Sequence, residues 1–96
     1  MRADYDSQAN AISIALSREE RAERADRVHP RAVVALHEER PVELQLLYPD
    51  LGIDEPIGAV IRAYDLDEEA LLAAIGAALA APDRSVTLDV AVRAPA

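Results

Sequence analysis

Apolar residues recur with two different periods along this chain, and the change of period divides it. Through residue 48 the period is two. Ile12, Ile14 and Leu16 fall on one side of residues 11–16, with Ser13 on the other. Val42, Leu44, Leu46 and Tyr48 alternate in the same way with Glu43 and Gln45. Such alternation marks strands with one buried face. Residues 2–5 are a short candidate strand, followed by Asp6-Ser7-Gln8-Ala9-Asn10, a turn whose Asp and Asn can bond their own backbone. Residues 31–37 carry the apolar run Ala32-Val33-Val34-Ala35-Leu36, and Glu38-Glu39-Arg40-Pro41 reads as the turn after it. Two antiparallel hairpins are predicted, forming a β-meander over residues 2–48 with one apolar face.

Residues 17–28 fit this scheme least well. Ser17 and Glu20 have the spacing of a capping box, so a short helix is the competing reading. Residues 17–27 hold no large apolar residue to anchor such a helix, which would be marginal without one. We read residues 17–20 as a turn and 21–28 as a polar edge strand. Its four arginines are interleaved with four acids, the pattern of a solvated face rather than an anion-binding patch.

After Pro49-Asp50-Leu51-Gly52 the period lengthens. Ile57, Val60, Ile61 and Tyr64 follow at i, i+3, i+4 and i+7, with Asp54 as the expected cap and Pro56 in the first turn, where its missing N–H costs nothing. A turn at Asp65-Leu66 leads to a second helix. Asp67 is its expected N-cap, Glu68 and Glu69 suit the positive end of the helix dipole, and Pro82 stops it. Leu71, Leu72, Ile75 and Leu79 are expected to face the core with Ala78, a burial worth roughly 6–12 kcal/mol before entropy costs. Residues 54–81 are thus a helical hairpin. Residues 85–93 close the chain as a strand, with Val86, Leu88, Val90 and Val92 alternating with Thr87, Asp89 and Ala91. That strand is expected to join the sheet or to pair with its counterpart in another protomer. The fold class expected is α+β: one domain over residues 1–96, an antiparallel sheet of five or six strands with a two-helix hairpin on one face.

The second helix carries no charge from Ala70 to Pro82. Ala73, Gly76, Ala77 and Ala80 stand where a solvated helix would carry Glu, Lys or Arg, and small side chains let another backbone approach closely. High helix propensity also favours alanine, and the whole chain is alanine-rich: twenty Ala, ten Arg and no Lys, the composition of a GC-rich bacterial genome. The run is too short for a bilayer, which needs about 20 residues.

Net charge −8 at pH 7 opposes non-specific binding to nucleic acid or to anionic membrane. With no Cys, disulfides, thiolate metal sites and thiol nucleophiles are excluded. The first fifteen residues hold Asp4, Asp6 and Asn10 where a signal peptide needs an apolar run, so a cytoplasmic location is the expectation. The core must be aliphatic, because there is no Phe or Trp and only three Tyr.

The stretch Tyr5-Asp6-Ser7-Gln8-Ala9-Asn10-Ala11-Ile12-Ser13-Ile14 resembles the opening of the bacterial domain-of-unknown-function 2283 family. Val33-Val34-Ala35-Leu36, the turn at residues 38–40 and Val42-Glu43-Leu44-Gln45-Leu46-Leu47 are similar to that family's closing hairpin. The likeness covers residues 2–48. It departs from the family at Asn10, Ser13 and Glu43, where Asp, Tyr and Gly are usual. It implies a small β-meander, favours a strand at residues 21–28 and transfers no catalytic residue.

Candidate chemistry is sparse. His29 and His37 would lie roughly 26 Å apart on one straight strand at about 3.3 Å per residue, so they do not converge on a metal. Two helices and a tight turn suggest a helix-turn-helix, but the second opens on Asp67-Glu68-Glu69, which would face phosphates. Neither a Gly-rich phosphate loop nor a Gly-x-Ser-x-Gly elbow is present, and no catalytic, cofactor or metal residue is assigned. The function expected is a non-catalytic interaction module: a homodimer, or the stabilising, antitoxin-like partner of another small bacterial protein. Its contacts would be Ala73, Gly76, Ala77 and Ala80 with Val86 and Val90, near the open edge of the sheet. The alternative is a small-molecule-binding or catalytic domain, with a pocket between sheet and helices lined by Tyr48 and Tyr64.

Overall fold

The computed structural model describes residues 1–17 and 21–88. Among the described residues, six strands and two α-helices make two layers. The strands are β1 (Arg2–Asp6), β2 (Ala11–Ala15), β3 (Arg24–His29), β4 (Ala32–His37), β5 (Arg40–Leu47) and β6 (Ser85–Thr87). They form one antiparallel sheet in the order β3-β4-β5-β2-β1-β6. β1–β2 and β3–β4–β5 are hairpin-connected, and β5 then closes on β2. Leu16 N–H donates to the Val42 carbonyl of β5, and Glu23 N–H to the Leu36 carbonyl of β4. β3 is the polar edge strand expected at residues 21–28. The C-terminal strand joins the sheet beside β1. Beyond Thr87 one more pair extends it, with Leu88 N–H donating to the Met1 carbonyl and the N-terminal amine to that of Leu88. Residues 18–20 and 89–93, read as turn and strand, lie outside the described residues.

Strand alternation sets which side chains meet the helices. Ala3, Ile12, Ile14, Ala32, Val34, Leu36, Leu44 and Leu46 are all buried on one face. Helix α1 (Asp54–Tyr64) lies over β3 and β4, and helix α2 (Glu68–Ala80) over β1, β2 and β6. The expected apolar face of α1 is present: Ile57 and Val60 are buried, and Ile61 and Tyr64 are half-buried against the core. Its cap is not the expected one. Ile53 occupies the N-cap with no side-chain bond, and Asp54 is the first helical residue, where its carboxylate can act only through the dipole. α2 begins as expected, with the Asp67 carboxylate accepting from Ala70 N–H.

Tight turns with unusual backbone hold the layers in register. The β4–β5 connection is a two-residue loop in which Glu38 and Glu39 both have positive φ, 49° and 64°. Hairpin twist demands that conformation, and Asn-Gly suits it better. Glu39 gains a compensating contact, a two-pronged pairing with the Arg24 guanidinium that holds its carboxyl below the ordinary range.

Candidate interaction surface

A helix laid on a sheet can turn only about half its circumference inward, and α2 is apolar all round. The structure turns Ala70, Leu71, Ala74, Ile75 and Ala78 to the core. Leu72 and Leu79 are 39% and 40% exposed, which corrects the expectation that both lie inside. The inward arc is mostly alanine because α2 sits over β1, whose own inward residue Ala3 is fully buried. Small side chains on both surfaces let helix and strand pack closely, and a Leu stripe would hold them apart.

The outward arc is consequently Leu72, Ala73, Gly76, Leu79 and Ala80, all exposed. Of the residues expected to make contacts, Ala73, Gly76 and Ala80 lie on this face, while Ala77 is half-buried at its margin. Val86 is also half-buried and pairs with Ala3; its side chain lies on the helix side of the sheet, and its strand β6 is the edge strand beside β1 among the described residues. Val90 lies outside the described residues. The exposed leucines were missed because Leu71 and Leu72 are adjacent and periodicity cannot say which one faces the sheet. The small partner strand was the available signal.

Gly76 is the most informative position. A Cβ placed there would meet no atom within 4 Å, so nothing inside the protomer requires glycine. A mid-helix glycine nevertheless costs about 1 kcal/mol relative to alanine. Gly76→Ala is therefore expected to raise the stability of the isolated protomer by about 1 kcal/mol, or about 4–8 °C in melting temperature for a domain of this size. Thermal melts at low concentration check this. A fall would mean that the glycine is needed within the fold.

The ends of this face carry charge. Glu68 and Glu69 are exposed in the first turn, and Arg84 is exposed in the turn after the helix. That turn is held to the β1–β2 loop. Ser7 N–H and Oγ donate to the two Asp83 carboxylate oxygens at 2.9 and 2.7 Å, holding that carboxyl below its usual range, and Asp83 N–H donates to the Tyr5 carbonyl. In the same loop Tyr5 donates to Asn10 Oδ1 (3.0 Å), and Asn10 Nδ2 to Asp50 (2.6 Å). The Tyr-Asp-Ser…Asn stretch thus works here as a clamp between three turns.

Polar groups also gather at Tyr64, in another place. Its hydroxyl donates to Asp26 on β3, and burial, with that carboxylate next, pushes its pKa up to about 12. Tyr48 lies beyond the end of β5 and is 51% exposed, whereas Tyr64 ends α1. Two hollows among the described residues are lined by Met1, Arg2, Ala15, Leu16, Ser17 and Thr87 and by Asp4, Tyr5, Asp6, Asp83, Arg84 and Ser85. Neither tyrosine lines them. His29 and His37 end different strands, β3 and β4, and bond to local backbone: His29 accepts from Arg31 N–H, and His37 Nδ1 lies 2.8 Å from the Arg21 carbonyl. Among the described residues no group of three or more His, Asp or Glu is placed to hold a metal, and no helix is long and apolar enough to cross a membrane.

Compared with known proteins, the chain matches no family model, no curated protein and no solved structure.

Proposed function

We propose that this protein is a non-catalytic interaction module of the cytoplasm, acting through the outward face of α2. It forms a homodimer or stabilises another small bacterial protein in an antitoxin-like manner, without binding nucleic acid. The observation that carries this reading is a helix face of two exposed leucines, two alanines and an unrequired glycine, with no charge along its length. Natural surfaces seldom leave such a strip in water unless another surface covers it. The resemblance of residues 2–48 to the domain-of-unknown-function 2283 family is part of the same proposal and adds no chemistry to it. The pocket alternative is less well supported, because Tyr48 is half exposed, neither tyrosine lines the hollows described above, and the Tyr64 hydroxyl is committed to Asp26.

The test is the solution mass across a wide concentration range, by light scattering coupled to gel filtration. The face spans only about two turns, well below the roughly 800 Å² per partner of a standard interface. A monomer–dimer equilibrium in the micromolar range is therefore expected. A monomer at every concentration removes the homodimer and leaves the heterologous partner, to be sought by co-purification with the neighbouring gene's product.

A further inference from the structure

We infer that the hydrogen bond from Tyr64 to Asp26 is a pH-sensitive latch: it fastens the C-terminal turn of α1 to the edge strand β3 while the Tyr64 hydroxyl keeps its proton, and it opens in alkali. Tyr64 is the last residue of α1. Asp26 pairs with Val34 of β4, which is buried on the helix side of the sheet, so its carboxylate lies on that side as well. The Tyr64 hydroxyl donates to Asp26 Oδ2 in a half-buried site, joining two residues 38 apart in sequence. One and two turns earlier in α1, Val60 and Ile57 are buried against the sheet without any such bond. Opening the latch therefore loosens the last turn of α1 and leaves the rest of the helix seated.

A phenol and a carboxylate in contact hold one proton well and do badly with none. With the proton in place a neutral donor meets a charged acceptor, the stronger class of hydrogen bond. Without it two negative oxygens face each other with no donor between them, partly shielded from water. The neighbouring groups do not relieve that repulsion. Arg24, two residues earlier on the same side of β3, favours the phenolate, but both carboxylate oxygens of Glu39, in the β4–β5 turn, hold its guanidinium. Arg62 of α1 lies back against Gly58, away from the end of the helix. Asp65 and Asp67, in the linker to α2, add only acid, and β4 presents Val34 and Leu36. Burial first, and the Asp26 carboxylate next, accordingly push the Tyr64 pKa up to about 12, from an ordinary value of about 10. A folded-state pKa above the unfolded one means that the latch contributes fully below about pH 10 and is lost as the pH climbs toward 12.

The composition isolates this titration. The chain has no Lys, no Cys and three Tyr, so from about pH 9 to about pH 12 the tyrosines are the side chains that change charge, arginine titrating higher. Urea stability is measured in steps from about pH 8 to about pH 12 for the unaltered chain and for Tyr64→Phe, which keeps the ring and lacks the proton. Between about pH 10 and about pH 12 the folding constant of the unaltered chain should fall at least tenfold further than that of Tyr64→Phe. Asp26→Asn supplies a second reading, by tyrosinate absorbance. In the unaltered chain one tyrosine should ionise after the other two, and in Asp26→Asn that last ionisation should come earlier. The same alkaline fall in Tyr64→Phe as in the unaltered chain would overturn the latch. So would three tyrosines of the unaltered chain ionising together, or a late tyrosine that Asp26→Asn leaves unmoved.

Discussion

Replacing Leu71 with alanine is expected to cost the fold about 3 kcal/mol, while the same change at Leu72 costs about 0.5 kcal/mol. The two leucines are adjacent, identical and in the same helix, but Leu71 is 1% exposed and Leu72 39%. At Leu71 the substitution removes apolar transfer energy and leaves a cavity among Ile75, Ala74 and the inward sheet residues, which are already packed without charged or polar groups. Such core truncations cost about 2–5 kcal/mol, a large share of the 5–15 kcal/mol of a typical domain. At Leu72 the truncated atoms are already partly in water, and surface changes fall within about ±0.5 kcal/mol. Urea denaturation of both variants at a concentration where the protomer is monomeric measures the difference. Equal costs would mean that α2 is rotated relative to the arrangement described here. The result for Leu72 should also change with concentration: where dimer forms, its loss weakens association as well.

On the association through α2 proposed above, Gly76→Glu is expected to weaken the dimer by a hundredfold or more, about 2.7 kcal/mol, while leaving the melting temperature of the monomer unchanged or slightly raised. The position is open within the protomer, and glutamate is a better helix former than glycine, so folding is not opposed. In a dimer formed through this face the variant places carboxylates in a strip with no cation along it, and like charges at an interface cost several kcal/mol. Gly76 is a better site for this charge than Ala77, which the structure holds half-buried at the margin of the core, where glutamate would disturb folding as well. Concentration-dependent light scattering paired with thermal melts separates the two effects. A dimer as tight as the unaltered protein's would place the interface elsewhere, most directly on the open face of the sheet. Loss of the fold together with the dimer would show that the outward arc of α2 is not free in the protomer.

The α+β class, the strand alternation at residues 11–15 and 42–46, the polar edge strand before Pro30 and the Asp67 cap were all legible in the chain, because each is a local consequence of side-chain period, capping chemistry or the missing N–H of proline. The same locality explains the near miss at Asp54. A carboxylate before a helical run suits the cap by residue type, but the chain entering from Gly52 and Ile53 begins the helix one residue earlier. The strand order is different in kind. Pairing of β5 with β2 joins residues 43–47 to residues 11–15, and no local pattern specifies it. It follows from closing two hairpins into one apolar face large enough for both helices.

The outward face of α2 divides in the same way. Sequence alone determined that α2 has no charge between Ala70 and Pro82, and therefore that some uncharged surface would remain after packing. Only the tertiary structure decided which arc remains. Periodicity puts Leu71, Leu72, Ile75 and Leu79 inward together, but the sheet beneath offers Ala3 on β1, and close contact between small surfaces turns Ala70, Ala74 and Ala78 down with Leu71 and Ile75, leaving Leu72 and Leu79 outside. A helix that is apolar all round has no amphipathic signal to orient it, so the shape of its partner surface sets its rotation. That rotation leaves two leucines and an unrequired glycine facing outward.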